Sequence, residues 1–436
     1  MRDDESRDPE SQTAKRKISG PGRSARTLRR TVGGSSKDDD WIADLIAEHR
    51  PGFSLAQAFY TDPRIFERDM ERVFLRQWVF AGHVSRVRNV GDYFLFTIGN
   101  ESIAVIRGKD GNVHALFNVC RHRGSRICLE AEGNKRTLVC PYHAWTYATE
   151  GKLLAAPAMA DGFDSSQFGL HKCHVRVVEG LIFICLGDTP PANEDAFRDW
   201  EIFLKPHGLT QAKIGKSMIW QVSANWKLVV ENFGECYHCG PTHPEYCSVM
   251  AHALPDTHKA NKHVGEFADL TAAWEAKAKK LGNLTGRVPH DLNAVHTCVR
   301  IPIKEGSLTA SRDGRPVAPL MGSFADYDGG YTAGRLYPAN YFVACCDHAV
   351  IPRFTPLSPQ CTEVEMIWLV RGDALERKDY DLKNLTWLWK ITTDQDKKIV
   401  DDNQAGVNSL AYQPGPYSQT EQGLARYTRW YLDQMQ

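Results

Sequence analysis

Large apolar side chains are scarce before Trp41 and recur at regular intervals after it. Residues 1–40 are polar and charged, basic from Arg23 to Arg30 and acidic at Lys37-Asp38-Asp39-Asp40, so they offer too little apolar surface to pack. A disordered tail is expected there, with a basic arm for a partner as the alternative. Asp3, Asp4, Glu5 and Asp8 disfavour an organelle transit peptide. Trp41-Ile42-x-x-Leu45-Ile46 then has helical spacing, and Asp62-Pro63 before Ile65, Phe66, Met70, Val73 and Phe74 supplies an N-cap, a first-turn proline and an apolar stripe. Residues 41–77 are read as N-terminal helices packing on the domain that ends the chain, 191–436.

The period changes at Trp78. Short β-branched and aromatic runs at 93–96, 103–106, 113–117, 175–178 and 181–185 are separated by turn residues, and Asp110-Gly111 is a hairpin signal. They predict a small all-β domain over 78–190, closed by Pro190-Pro191. Beyond it helical stretches alternate with strands at 195–204, 218–222, 225–238, 268–281, 341–350, 364–370 and 380–403. An α+β domain over 191–436 accounts for that pattern.

Composition narrows the classes. Lys+Arg and Asp+Glu balance at 53 each over 436 residues, so no global charge steers the chain to nucleic acid or to an anionic membrane. No apolar run is long enough to span a bilayer and no secretory core precedes the first domain. Twelve cysteines with no disulfide-scaffold spacing fit a reducing cytoplasm. The expectation is a soluble, unexported protein.

Residues 118–147 carry Cys120-x-His122 and, seventeen residues on, Cys140-x-x-His143. Alternating Cys-His pairs resemble a Rieske [2Fe–2S] site, in which two thiolates hold one iron and two imidazoles the other. A Cys2His2 zinc site, the alternative, groups its ligands differently. Residues 226–246 place Glu235, His238 and, after Gly240-Pro241, His243 at the end of an amphipathic helix. Two imidazoles with one carboxylate and open positions suit non-heme Fe(II) and O2. A Cys236-x-x-Cys239 redox or zinc motif, or a helix with packed histidines, are the bland readings of the same stretch.

A Rieske stretch followed by a two-histidine stretch resembles the oxygenase (α) component of Rieske non-heme iron oxygenases, from about Trp41 to the C-terminus. The resemblance implies an all-β Rieske domain plus an α+β helix-grip (START-like) catalytic domain. It also implies a [2Fe–2S] cluster on Cys120, His122, Cys140 and His143, mononuclear Fe(II) on His238 and His243, and an acid near the C-terminus as third ligand. Of Asp394, Asp396, Asp401 and Asp402, helical phase puts Asp396 within about 60° of Leu385, Trp389, Ile399 and Val400 and the others off that stripe. The family's register before Asn403-Gln404 selects Asp396 too. Glu235 matches the acid that links the two metal sites across a subunit boundary, paired with His143 of the neighbouring subunit. Asn232 sits one position closer to that acid than in ring dioxygenases, which leaves its role at the iron open.

ECYHCGPTHPEY resembles the branch that N-demethylates quaternary ammonium compounds such as glycine betaine or stachydrine; hydroxylation of an aromatic ring is the alternative. An electron carrier without oxygenase activity is disfavoured by the residues beyond the cluster. The resemblance further implies a homotrimer, and a separate NAD(P)H-dependent ferredoxin/flavin reductase, since no nicotinamide or flavin fingerprint occurs here. A quaternary ammonium calls for an aromatic cage, for which Tyr327, Tyr331, Tyr337, Tyr341 and Trp368 are candidates.

Overall fold

The computed structural model describes residues 36–250, 264–289, 291 and 294–436. Residues 1–35 of the expected tail lie outside the described residues, but its end is helical: a helix runs Ser36–Ala47, ahead of Trp41. Acidic composition, read as a solvated tail, equally suits a helix's first turn. Asp62 then caps Pro63–Asp69, accepting from the Arg64 N–H at 2.8 Å, and the chain continues through a π-helical turn, Met70–Phe74.

Three antiparallel sheets follow. Val79–His83, Leu181–Cys185 and His174–Val178 form one. Val113–Phe117, Glu101–Arg107, Asp92–Ile98 and Glu132–Asn134, in that spatial order, form the second, with the Asp110-Gly111 hairpin in place and Gly111 at φ 81°. Leu138–Val139, Thr146–Tyr147 and Leu153–Ala155 form the third, at the base of the cysteine-histidine loops.

The C-terminal half is built on a seven-stranded antiparallel sheet in the order Lys213–Val222, Cys361–Val370, Ala349–Ser358, Asn340–Ala344, Gly330–Leu336, His296–Pro302, Gly286–Val288. Residues 341–350, read as one stretch, turn back at 345–348, where the Cys345 N–H donates to the His348 carbonyl at 2.9 Å. The long helix Leu382–Val407, capped by Asp381, contributes Leu385, Leu388, Trp389 and Val400 to the main core. Asn340 stitches the halves, its side chain bonding the Phe80 N–H and the Trp78 carbonyl, each at 2.8 Å. The architecture is α+β, as read from the pattern.

One buried polar group ties the ends of the chain to the middle. The helix Trp226–Phe233 is capped by Asn225 and carries Lys227, which is wholly buried. Its ammonium pairs with Asp69 Oδ2, which also accepts from Trp226 Nε1 at 2.8 Å, while Tyr431 donates to Asp69 Oδ1 at 2.6 Å. The ammonium also lies 4.9 and 5.1 Å from the Trp226 and Tyr431 ring centres. Glu231, one turn on, accepts from the Tyr60 hydroxyl at 3.1 Å. Burial pushes its carboxyl up to about 8, against the pull of Tyr60 and Lys227.

Two outcomes are expected. Asp69→Asn strands the Lys227 ammonium in the core and costs about 3–5 kcal/mol of stability, measurable by denaturant titration. Glu231 holds its proton when folded up to about pH 8 but loses it near 4.5 when unfolded, so the stability it confers is present below pH 4.5 and lost as pH rises through 8. The melting temperature of Glu231→Gln should therefore gain on that of the parent across this window; a constant difference would mean the carboxyl is ionised throughout.

Candidate metal centres

The two cysteine-histidine loops have the same backbone plan. In the first, the Gly124 N–H donates to the Cys120 carbonyl at 2.9 Å and the Cys120 N–H to the Ser125 carbonyl at 2.8 Å. In the second, the Ala144 N–H donates to Cys140 at 3.0 Å and the Cys140 N–H to Trp145 at 2.8 Å. Each closes through a left-handed residue, Gly124 at φ 78° and Ala144 at φ 56°. A left-handed alanine is strained and persists only where surrounding bonds fix it.

The loops bury both sulfurs and expose both imidazoles. Cys120 and Cys140 are free thiols 3% and 2% exposed, whereas His122 and His143 lie at the surface with ring centres 4.6 Å apart. Trp145 stacks on His122 at 4.9 Å and Tyr142 on His143 at 3.8 Å. Behind them the Tyr147 hydroxyl lies 3.2 Å from Cys120 Sγ and accepts from the Arg121 N–H at 3.0 Å. Burial, then Cys120, raises the pKa of this phenol above its ordinary value. Two buried sulfurs and two imidazoles on facing loops are the donor set a Rieske cluster needs.

The second group forms where the helix Trp226–Phe233 ends. Glu235 and His238 lie beyond that end and not within the helix as expected: Gly234 caps it, and the chain turns. Glu235 makes the turn, its Oε2 accepting from the Tyr237 and His238 N–H groups, and Cys236 and Cys239 are joined by a disulfide. Of the bland readings, the redox-type Cys pair is thus present beside the histidines.

His238 Nε2 and His243 Nε2 lie 3.3 and 3.0 Å from the same atom, Asp396 Oδ1. Both Nδ1 atoms face away, to Glu235 Oε1 at 2.5 Å and to Gln395 Oε1 at 2.9 Å, and Gln395 in turn donates to Glu245. With each Nδ1–H donated outward, both Nε2 lone pairs face a carboxylate, an arrangement that needs a cation or a proton among them. Without metal a proton serves: burial opposes charge on His238, but Asp396 and Glu235 outweigh it and lift the imidazole to about 9. Burial likewise opposes ionised Asp396, yet the two histidines hold its carboxyl below the ordinary value. The donor set therefore fits a divalent cation.

Of the other candidate acids of the long helix, Asp402 is exposed and two are engaged elsewhere. Asp394 accepts from Trp220 and Lys390, and Asp401 from the Ser223 N–H and Lys397. Sequence reasoning left open or missed two neighbours: Asn232, whose amide nitrogen is 3.3 Å from His238 Nε2, and Gln395, which orients His243. Gln395 follows from no motif; only the fold brings it within reach. The Cys239 sulfur also lies within 4.8 Å of both histidines but is committed to Cys236.

A cavity of about 540 Å³ opens onto these side chains. Of the proposed cage residues Tyr331 and Tyr341 line it; Tyr327, Tyr337 and Trp368 do not. Tyr327 donates to the Ala318 carbonyl, Tyr337 packs on Tyr427 and Trp430, and Trp368 is wholly buried in the sheet. Phe233, Tyr246, Phe342 and Trp389, not anticipated, complete the aromatic lining. Phe233 packs on Tyr341 at 5.0 Å and on Trp389 at 6.3 Å, and Tyr246 on Trp389 at 5.7 Å.

The chain is also similar to known proteins. Residues 77–176 match the Rieske [2Fe-2S] domain, and residues 204–436 match the ring hydroxylating alpha subunit (catalytic domain). The glycine betaine monooxygenase oxygenase subunit of Pseudomonas aeruginosa strain UCBPP-PA14 is 37% identical over 401 residues, 90% of this chain and 91% of that protein. The corresponding subunit of Chromohalobacter salexigens is 39% identical over 403 residues, 91% and 89% of the two chains. In fold, a crystal structure of a quaternary ammonium Rieske monooxygenase with L-carnitine matches at TM-score 0.66 and 22% identity, covering 90% of this chain and 98% of that one. Similar to these subunits along nine-tenths of its length, and matching both domain families, the chain belongs to the Rieske non-heme iron oxygenases as an α (oxygenase) subunit.

Proposed function

We propose that the protein is the terminal oxygenase of a monooxygenase that N-demethylates a quaternary ammonium compound of the glycine betaine or stachydrine kind. Electrons come from NAD(P)H through a separate ferredoxin/flavin reductase. The balanced reaction takes substrate, O2, NAD(P)H and a proton to the demethylated amine, formaldehyde, water and NAD(P)+. The observation that carries this reading is the aromatic-lined cavity over His238, His243 and Asp396: a quaternary ammonium accepts no hydrogen bond and is held by ring faces. The 37–39% identity to glycine betaine monooxygenase subunits supports it.

Residues 78–190 serve as the Rieske domain and 191–436 as the catalytic domain, with 41–77 packed on the latter. Cys120, His122, Cys140 and His143 would hold the [2Fe–2S] cluster, and His238, His243 and Asp396 the Fe(II). When bound, the cluster supplies single electrons and the Fe(II) activates O2 for oxidation of an N-methyl C–H bond. The chain's own residues do the rest. Glu235 and Gln395 fix the Nδ1–H tautomers, leaving both Nε2 atoms as donors to the metal. Phe233, Tyr341 and Trp389 hold the ammonium head and keep water from it. Glu235 is assigned as the electron bridge, accepting from His238 and, in a homotrimer, from His143 of the partner subunit. Ten free thiols and a single local disulfide among the described residues favour the cytoplasm, and no helix there is long and apolar enough to cross a membrane.

Purified protein should carry about three irons and about two acid-labile sulfides per chain. Asp396→Ala should lose the third iron and keep the visible Rieske spectrum; loss of both, or of neither, would overturn the assignment. Screening methylammonium and aromatic compounds for substrate-dependent formaldehyde tests the reaction: a dihydrodiol from an aromatic compound, with no formaldehyde from any methylammonium, would replace it with ring hydroxylation. Glu235→Gln should keep both metals and a reducible cluster yet fail in a single turnover with substrate and O2. Normal cluster reoxidation in that variant would remove the bridge.

A further inference from the structure

We infer that Arg287, Arg335 and Arg426 form a carboxylate clamp in the cavity wall, so that the enzyme selects zwitterionic quaternary ammonium compounds over simple cations. The inference rests on the quaternary ammonium reading and adds to it the second pole of the substrate.

All three arginines line the cavity onto which His238, His243 and Asp396 open. Sheet register brings two of them together. Arg335 stands opposite Thr297 on one side and Tyr341 on the other, and Arg287 stands opposite Val299. Thr297 and Val299 are two residues apart on one strand and so share a face, which puts both arginines on that face from the strands flanking it. Arg426 reaches the same place from the helix Gln422–Met435. The meeting point is Gly423, where an added Cβ would lie 3.6 Å from Arg335 Nη1 and 4.0 Å from Arg426 Nη2.

Among the described residues the three positive charges have no counter-charge. The acids on the cavity wall, Glu235 and Asp396, are taken up by the histidines. Among the described residues none of the three arginines has a carboxylate partner, and the Nε atoms of Arg335 and Arg426 are buried without any hydrogen-bond acceptor. Burial, then the proximity of Arg335 and Arg426, lowers the Arg287 guanidinium below its ordinary range. Arg287 is exposed and Arg335 and Arg426 are half-buried, whereas the fully buried Arg300 is answered within the protein by Asp328 at 2.7 Å. Arg335 has the Tyr337 ring 4.9 Å from its guanidinium carbon, but guanidiniums with no carboxylate on a cavity wall suit an anion from outside, and their planar fork matches a carboxylate in a bidentate way.

The clamp also sets orientation. Tyr341, opposite Arg335, packs on Phe233, two residues before Glu235, so the aromatic surface connects the arginines to the metal-binding turn. A substrate with its carboxylate on the arginines lays its ammonium on those rings and turns its methyl groups to the histidines. A cation without a carboxylate meets three like charges and no partner for them.

Equilibrium dialysis on the cluster-loaded oxygenase, with glycine betaine, its methyl ester and choline as probes, tests this. The parent protein should bind glycine betaine about 10- to 100-fold more tightly than the ester or choline, the span of one to two charged hydrogen bonds. In Arg335→Gln the affinity for glycine betaine should fall by about the same factor while that for choline stays or rises, with the loss falling on KM more than on kcat; Arg335→Lys should recover part of it. Retention of the Rieske spectrum reports folding, and the comparison of probes on the parent stands without any variant. Equal affinity for the three probes, or an Arg335→Gln loss shared equally by betaine and choline, would overturn the clamp while leaving N-demethylation intact. Binding of none of the three by the parent would overturn the clamp together with the substrate reading.

Discussion

The carboxylate of Asp69 accepts at once from Lys227, Trp226 and Tyr431, and the placement of the catalytic half hangs on that one group. It sits at the end of an N-terminal helix, and its donors come from the helix before the metal-binding turn and from the C-terminal helix. Sheet and hydrophobic contacts hold those elements near one another without fixing how far each slides along its axis. A buried ion pair with defined hydrogen-bond directions does fix it, because a small shift leaves a charge without a partner in a dry core. The same helix ends where Glu235, His238 and the aromatic wall begin, so the register that Asp69 imposes is inherited by the site.

At the histidines the electrostatics follow one rule: the charges on His238 and Asp396 are opposed by burial and retained by a named partner. His238 stays protonated without metal because two carboxylates flank it, and Asp396 stays ionised because two imidazoles do. The two cysteine-histidine loops solve the complementary problem, drawing the sulfurs into the protein and leaving the imidazoles at the surface. The shared backbone plan of the two loops makes that polarity a property of the main chain, with Gly124 and Ala144 in the left-handed region at matching points.

Much of this was legible in the sequence. Ligand spacing marked both metal stretches, alternation marked the β domain, and helical phase singled out Asp396, because each depends on residues close in sequence or on one helix. What was not legible depends on distant chain segments. Residues 36–40, the start of the helix Ser36–Ala47, were read as part of a tail because acidic composition suits solvent and a helix start alike. The turn after Phe233 was read as helix because nothing local separates the two, whereas Glu235 folds back on its own backbone. Tyr327, Tyr337 and Trp368 shared the composition of a cage but pack elsewhere, and Phe233, Tyr246 and Trp389 come from three separate elements.

The disulfide between Cys236 and Cys239 bears on which metal the protein accepts. Its Cys239 sulfur lies within ligand range of both imidazoles, so the same turn holds two potential donor sets. Tied to its neighbour, the sulfur offers no thiolate, and the set is two nitrogens and a carboxylate with positions left open. Opened, it would add a soft donor to the two imidazoles, and a nitrogen–sulfur set favours tetrahedral zinc, which exchanges no electrons. The bond thus leaves the turn a nitrogen–oxygen donor set in place of a nitrogen–sulfur one.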